Sequence, residues 1–166
     1  MQAPSELADA NFMASHYYIL SAATRCPHCG MQTPVFALAL PAPHQWLHTD
    51  DEDPRADAWQ SASAPAVLFH VEALSHAAAL RLRDVAPGYR LSCPPASGAS
   101  RWINHCGRCD GPLEDNDLHC EPEAAFVPIS PEAAHLIRLT DVCHPLQVNA
   151  ADSVLDANWL ASVRRG

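Results

Sequence analysis

Two pairs of cysteines, each separated by two residues, are the part of this sequence best suited to chemistry. Cys26 and Cys29 form the first pair, and Cys106 and Cys109 form the second. Two intervening residues allow a tight turn to aim both sulfurs at one point, and four thiolates satisfy the tetrahedral coordination of Zn²⁺. Because four sulfurs leave no open coordination position, such a site is structural rather than catalytic. The spacing therefore predicts one structural zinc ion.

The chain between the two pairs is longer than in a compact zinc site. Cys29 and Cys106 are separated by 76 residues, against roughly 15–20 in the common pattern. An inserted substructure can separate two knuckles that meet in space, so the length does not exclude a shared ion. Gly30 follows the first pair and Gly107 lies within the second, where we expect glycine to supply the backbone freedom of a knuckle turn.

The residues around both pairs resemble known metal-binding sequences. Cys26-Pro27-His28-Cys29-Gly30 looks like the first knuckle of a zinc ribbon, in which a second CxxC knuckle follows between later strands. The second region also resembles uncharacterised bacterial proteins that carry an N-H-C-x-x-C…D-x-x-L-H-x-E-P-like segment, here Asn104 to Cys109, Asp117-Leu118-His119, Glu121-Pro122 and Phe126. The resemblance implies zinc and a ribbon-like architecture, and it implies no activity.

The first pair has a second interpretation as a redox dithiol. The sequence Cys26-Pro27-His28-Cys29 resembles the dithiol of strongly oxidising thioredoxin-fold proteins, and Val127-Pro128 resembles their cis-proline loop. A redox dithiol needs its first cysteine at a helix N-terminus, where the helix dipole lowers the thiol pKa. Gly30 and Pro34 follow too closely for a helix to begin there, which favours the metal site over a thiol-disulfide oxidoreductase.

The second pair has an alternative interpretation as part of a zinc hydrolase or deaminase. His70-Val71-Glu72 together with Cys106-x-x-Cys109 mimics the signature in which a glutamate shuttles protons beside a metal-activated water. However, His105 stands where that signature has proline, and Asp110-Gly111-Pro112 breaks the helix that it requires. This alternative also leaves Cys26 and Cys29 without a role.

Other histidines and cysteines could add to either site. His28, His105, His119 and Cys120 lie in or near the two CxxC regions, where they could replace a ligand, form a second site or orient the ligands. Cys93 and Cys143 are expected to be isolated buried thiols, the usual state of an unpaired cysteine. No serine elbow, phosphate-binding loop or dinucleotide fingerprint occurs.

Strands must position the two knuckles. Apolar runs predict strands at residues 16–20 and 35–40, which form a hairpin around the first pair, and at residues 101–104 before the second. Ser75 can cap a helix over residues 76–85, and Ser130 can cap a helix that begins at Pro131. Asp152 can cap a final helix on which Leu155, Trp159 and Val163 recur.

These elements predict a single α+β domain over residues 1–166, with a zinc-ribbon-like antiparallel core and two to three short helices. Hairpins at residues 15–40 and 101–130 carry the knuckles. Residues 41–100 form an inserted segment, in which the stretch 41–65 with the acidic run 50–53 is expected to be a surface excursion. Residues 131–166 form a C-terminal extension with a helix.

Composition narrows the function further. The chain has 166 residues, a formal net charge of -9 and ten basic residues that are all arginine, so it lacks the basic patch that nucleic-acid binding needs. The N-terminus shows no secretory pattern and no apolar run is long enough to span a membrane, which favours the cytoplasm. We expect a non-enzymatic, zinc-stabilised module that binds or regulates another protein.

Overall fold

The computed structural model describes residues 7–93 and 98–166. Within these residues the chain forms two sheets and three short α-helices, so the α+β prediction is confirmed. The strands are β1 (Phe12–Ala14), β2 (Tyr17–Arg25), β3 (Gln32–Leu40), β4 (His44–His48), β5 (Ala58–Ala62), β6 (Ala66–Leu74), β7 (Tyr89–Ser92), β8 (Arg101–His105), β9 (Pro112–Leu113), β10 (Arg138–Val142), β11 (Leu146–Val154) and β12 (Arg164–Arg165). The helices are α1 (His76–Val85), α2 (Asp115–His119) and α3 (Pro131–Ala134).

The larger sheet has nine strands in the order β12-β10-β2-β3-β6-β11-β1-β4-β5. Its central hairpin is β2 and β3, in which Tyr18 pairs with Ala39 and the ladder continues to Arg25 opposite Gln32. The apolar residues of both strands are consecutive, YYIL in β2 and VFALAL in β3, a pattern that fits a sheet with two covered faces. The hairpin predicted around the first cysteine pair is therefore present.

Side chains on the two faces of this sheet belong to two separate apolar clusters. Leu20 on β2 and Val35 on β3 lie in the cluster that also contains buried residues of β9, α2, α3 and the C-terminal segment. Residues on the opposite face, Ile19 and Leu38 among them, belong to the cluster that contains Leu82 of α1. The period-two alternation of a strand assigns consecutive residues to opposite faces, so a single sheet supports both clusters.

The smaller sheet, β7-β8-β9, is attached to the larger one by a buried asparagine. Asn104 on β8 is 1% exposed. Its Nδ2 donates to the Phe36 carbonyl oxygen at 2.8 Å, and its Oδ1 accepts from the Phe36 amide nitrogen at 2.8 Å. β3 pairs with β6 only over Leu38–Leu40, so this side chain satisfies the backbone of β3 where no neighbouring strand does.

The predicted inserted segment contributes strands to both sheets. Its residues supply β4, β5 and β6, and β6 lies between β3 and β11 in the middle of the larger sheet. The prediction that residues 41–65 form a surface loop is wrong where β4 and β5 pair with each other. The acidic run 50–53 does lie in the loop between these two strands. Residues 1–6 and 94–97, which the predicted boundaries include, lie outside the described residues.

The three helix predictions have different outcomes. α1 covers the predicted residues, but the Ser75 side chain makes no capping hydrogen bond, whereas Ser130 caps α3 by accepting from the Ala133 amide at 3.1 Å. The final helix expected after Asp152 is wrong, because Asp152 lies within β11 and only a 3₁₀ turn, Asn158–Ser162, follows. No described helix combines the length and apolar character needed to cross a bilayer.

We expect Asn104→Ala to destabilise the protein by about 3 kcal/mol, because it leaves the buried amide and carbonyl groups of Phe36 without partners. Asn158→Ala removes the same atoms from an exposed position and should change stability by less than about 0.5 kcal/mol. Urea unfolding of both variants measures the difference. Equal, small losses would show that Asn104 does not hold the two sheets together.

Candidate metal centre

Each cysteine pair lies at the tip of a hairpin, and the two tips have the same backbone hydrogen bonds. Cys26 follows β2, and its amide donates to the Met31 carbonyl, while the Gly30 amide donates back to the Cys26 carbonyl, both at 2.9 Å. Cys106 follows β8 and makes the equivalent pair of bonds with Gly111 and Asp110, also at 2.9 Å. Two segments of different sequence thus form the same knuckle.

The left-handed residue of each knuckle is the fourth after its first cysteine. Gly30 has φ +75° and Asp110 has φ +61°, a region that glycine enters freely and aspartate tolerates better than most residues. The Arg90 guanidinium donates to the Asp110 carboxylate at 2.7 Å. The role predicted for Gly107 is therefore taken by Asp110, while the Gly107 amide donates to Thr33 Oγ1 at 3.0 Å and so ties the second knuckle to β3.

The two tips bring all four sulfurs together. Cys26 Sγ lies 3.7 Å from Cys109 Sγ, and Cys29 Sγ lies 3.7 Å from Cys106 Sγ. All four sulfurs lie within 4.8 Å of one another. A tetrahedron with metal–sulfur bonds of about 2.3 Å has edges of about 3.8 Å. The donor set and its spacing therefore fit a tetrahedral metal ion, and the cluster could hold one.

The knuckles also contact each other directly. His28 Nε2 lies 2.8 Å from the Pro112 carbonyl oxygen, across the gap between the hairpins. Gly111 faces the His28 ring so closely that a Cβ on residue 111 would clash with it. A glycine at this position is thus required by close approach rather than by backbone conformation. His28 acts as a contact between knuckles and not as a member of the sulfur cluster.

Backbone amides and sulfur crowding shift the thiol pKa values in opposite directions. The amide groups of Cys109 and Arg108 lower the pKa of Cys106 to about 6; the Arg108 amide lies 3.4 Å from the sulfur. At Cys109 the Gly111 amide lowers the pKa, but desolvation and the three neighbouring sulfurs outweigh it and raise the pKa to about 12. Four thiols this close cannot all ionise by themselves, whereas a divalent cation among them favours the thiolate form of each.

The other candidate ligands lie elsewhere. His105 is buried, with Nδ1 3.0 Å from the Ile103 carbonyl oxygen, and Cys120 is exposed with its sulfur 3.7 Å from Asn116 Oδ1. In the part of the chain that the structure describes, the metal-binding cluster contains the four paired cysteines and none of these residues. Cys93 and Cys143 are exposed, so the prediction that they are buried thiols is wrong.

The positions of the key residues also bear on the two alternative chemistries. Cys26 begins a hairpin turn between β2 and β3 and not a helix, so no helix dipole acts on its thiol. His70 lies on β6 with its Nδ1 2.6 Å from Asp152 Oδ2, and Glu72 is exposed on the same strand. Neither His70 nor Glu72 joins Cys106 and Cys109 in the sulfur cluster, which is where a deaminase would need the histidine.

A second polar cluster, which the sequence does not reveal, surrounds His70. This residue has φ +50° in the middle of β6, and Leu68 and Val71 on either side of it both face the α1 cluster. The His70 amide donates to Asp115 Oδ2 on α2 at 2.7 Å. A buried carboxylate thus satisfies the backbone group that the irregular strand leaves unpaired. Only the tertiary contact between α2 and β6 could identify it.

His119 belongs to the same region and is stacked between two phenylalanine rings. Its ring centroid lies 4.9 Å from that of Phe69 and 5.0 Å from that of Phe126. Burial, and secondarily the nearby charge of His70, lowers the pKa of His119 to about 3. Burial also raises the pKa of Asp115 to about 6, partly opposed by the His70 amide. His119 is therefore a neutral core residue, and it lies outside the sulfur cluster.

Comparisons with known proteins add no relative to this description. No family model, curated protein or solved structure matches the chain. Its functional assignment therefore depends on the geometry of its own residues.

We expect Asp115 and His119 to have opposing effects on acid stability. Between pH 6.5 and about 3 the unfolded chain binds a proton at His119 that the folded chain excludes, so falling pH destabilises the fold by about 1.4 kcal/mol per pH unit. Between about pH 6 and 3.8 the folded chain retains a proton on Asp115 that the unfolded chain releases, which stabilises the fold with a similar slope. The two contributions cancel between about pH 4 and 6.

Single variants separate these slopes. Relative to wild type, Asp115→Asn should lose about 3 kcal/mol between pH 6 and 4, and His119→Phe should gain a similar amount. Asparagine keeps an oxygen for the His70 amide, and phenylalanine keeps the ring stack. Urea unfolding across this pH range provides the measurement. The other carboxylates are the same in all three proteins, so their titration contributes equally to each profile. Three parallel profiles would contradict the assigned pKa shifts.

Proposed function

We propose that the four cysteines hold one structural zinc ion and that the protein is a zinc-stabilised module for binding another protein. The observation that carries the first part is the meeting of two hairpin tips with identical hydrogen bonds, in which sulfurs of different tips lie 3.7 Å apart. Cys26 and Cys106 are buried in the core cluster, while Cys29 and Cys109 face outward. Zinc fits this donor set because it favours tetrahedral thiolate coordination.

A structural role for the ion follows from the chemistry of the site. Four thiolates saturate a tetrahedral ion, so no position is left for a substrate or an activated water. The ion would link two hairpins that are separated by 76 residues of chain. Closing so long a loop removes conformational freedom mainly from the unfolded chain, which stabilises the fold. A zinc-ribbon-like joint between the two sheets is the architecture that we infer from it.

The proposed partner site lies along the loop that precedes β10. Ile129 is 64% exposed and Leu136 is 80% exposed, and both line a groove of about 350 Å³ together with Val127. Large apolar side chains gathered at one surface groove are typical of protein-interaction sites. The net charge of -9 favours a partner with a basic surface around an apolar contact.

We expect Cys26→Ser and Cys106→Ser to remove most of the zinc from protein purified without chelator. Each change deletes one buried ligand from a different knuckle. Wild type should contain about one zinc ion per chain, and each variant should contain much less. The melting temperature should fall by about 10 °C, because binding energy of a structural ion is folding energy. Elemental analysis and thermal unfolding provide the two measurements.

Cys143→Ser is the matched control, because Cys143 is exposed in the turn between β10 and β11. It should keep both the zinc and the melting temperature of wild type. Full zinc retention by Cys26→Ser would contradict a shared ion. A metal-free protein with a reversible disulfide between Cys26 and Cys29 would instead support the oxidoreductase alternative.

For the interaction site, we expect the double variant Ile129→Asp, Leu136→Asp to lose a partner that zinc-loaded wild type retains from an extract of the source cells. Recovery should fall at least about tenfold, because charges replace the central apolar contacts. Leu91→Asp, Leu155→Asp changes the net charge equally at two other exposed leucines and should retain the partner. Equal retention by both double variants would exclude the groove as the binding surface.

A further inference from the structure

A cavity of about 300 Å³ lies between α1 and the start of β2, beside the turn that joins β10 to β11. Its walls are mostly apolar and include Ala77 and Leu80 of α1 and Val142 at the end of β10. Four polar side chains also line it: Tyr17, Arg81, His144 and Asp84. Small apolar cavities with a few convergent polar groups are the usual form of a small-molecule site.

Tyr17 supplies a hydroxyl group to this cavity. The residue is 1% exposed, and its hydroxyl makes no hydrogen bond to any residue in the described ranges. A hydroxyl without a protein partner at a cavity wall is available to donate to a bound acceptor. Burial raises the pKa of Tyr17, and the positive charge of Arg81 opposes that rise. The phenol therefore keeps its proton and can donate it.

Arg81 supplies a positive charge that makes no ion pair with the described residues. The ion pairs among residues 7–93 and 98–166 involve Arg83, Arg90 and His70, but not Arg81. The carboxylate that also borders the cavity, Asp84, lies 4.0 Å from Arg83 Nε on its other side. A guanidinium next to a phenol hydroxyl presents convergent donors, which suit an anion with two acceptor oxygens.

The turn after β10 fixes the third polar group at the rim. The His144 amide donates to the Val142 carbonyl at 2.8 Å, which holds the turn tightly against the end of the strand. His144 lines the cavity, where its imidazole is a further hydrogen-bonding group. Pro145 completes the apolar wall on this side.

We propose that this cavity binds a small carboxylic acid with an apolar body, whose carboxylate accepts hydrogen bonds from Arg81 and the Tyr17 hydroxyl. The apolar body lies against Leu80 and Val142, where it is removed from water. The site is independent of the metal centre, because it shares no residue with the two knuckles. The same chemistry occurs in a free small acid and in the terminal carboxylate of a peptide.

The test uses zinc-loaded protein and two probes of the same shape, phenylacetate and its neutral amide, phenylacetamide. Phenylacetate should cause saturable changes in the amide NMR signals of Ala77 and Val142, and phenylacetamide should bind at least about tenfold more weakly. Equal binding of the two probes, or no change at these amides, would overturn the proposal. Tighter binding of acetyl-Ala-Phe than of phenylacetate would support it with a peptide terminus as the source.

Variants then assign the binding to the named groups. Arg81→Gln should weaken phenylacetate binding at least about tenfold, and Tyr17→Phe, which keeps the packing of the ring, about fivefold. Arg55→Gln makes the same change in net charge at an exposed residue that does not line the cavity and should leave the affinity within about twofold. Wild-type affinity in both Arg81→Gln and Tyr17→Phe would show that the carboxylate binds elsewhere.

Discussion

Four thiol groups held within 4.8 Å of one another are the constraint on which the rest of the structure depends. Sulfurs at this spacing repel when ionised, so their positions must be fixed by the surrounding backbone or compensated by a cation. The protein fixes them with two hairpin tips of equal hydrogen bonding and with His28 and Thr33, which connect one tip to the other. Asn104 adds a third connection between the sheets, two residues before the second knuckle.

The larger sheet supports the contact between the two hairpin tips because both of its faces are covered. One apolar cluster includes α1, and the other includes the buried cysteines, α2 and the C-terminal segment. The irregular residue His70 connects the sheet to α2, since its amide binds Asp115 of α2 while its ring binds Asp152 of the neighbouring strand β11. Local strain in β6 is thus balanced by two carboxylates from elements distant in sequence.

The metal centre and the cavity beside α1 lie at opposite ends of one strand. Tyr17 begins β2 and Cys26 directly follows its last residue, which at about 3.3 Å per residue separates the two by about 30 Å. Side chains at one end can therefore change without altering the other end directly. In this arrangement the proposed ion and the proposed ligand site are held by loops at opposite ends of one strand.

By itself, the sequence determined the local features: the two CxxC pairs, the hairpin around the first pair, the helix at residues 76–85 and the serine cap of α3, because each depends on spacing or on neighbouring residues. The sequence did not determine the secondary structure near the C-terminus. The helical spacing after Asp152 predicts a helix, but β11 pairs with β6 there instead. The sequence also led to a wrong prediction for the second knuckle, in which Asp110 and not Gly107 has the left-handed backbone conformation. Only the tertiary structure decided that the two distant pairs meet, that His119 is a stacked core residue and that β4, β5 and β6 belong to the larger sheet. These features depend on long-range contacts that no local pattern encodes.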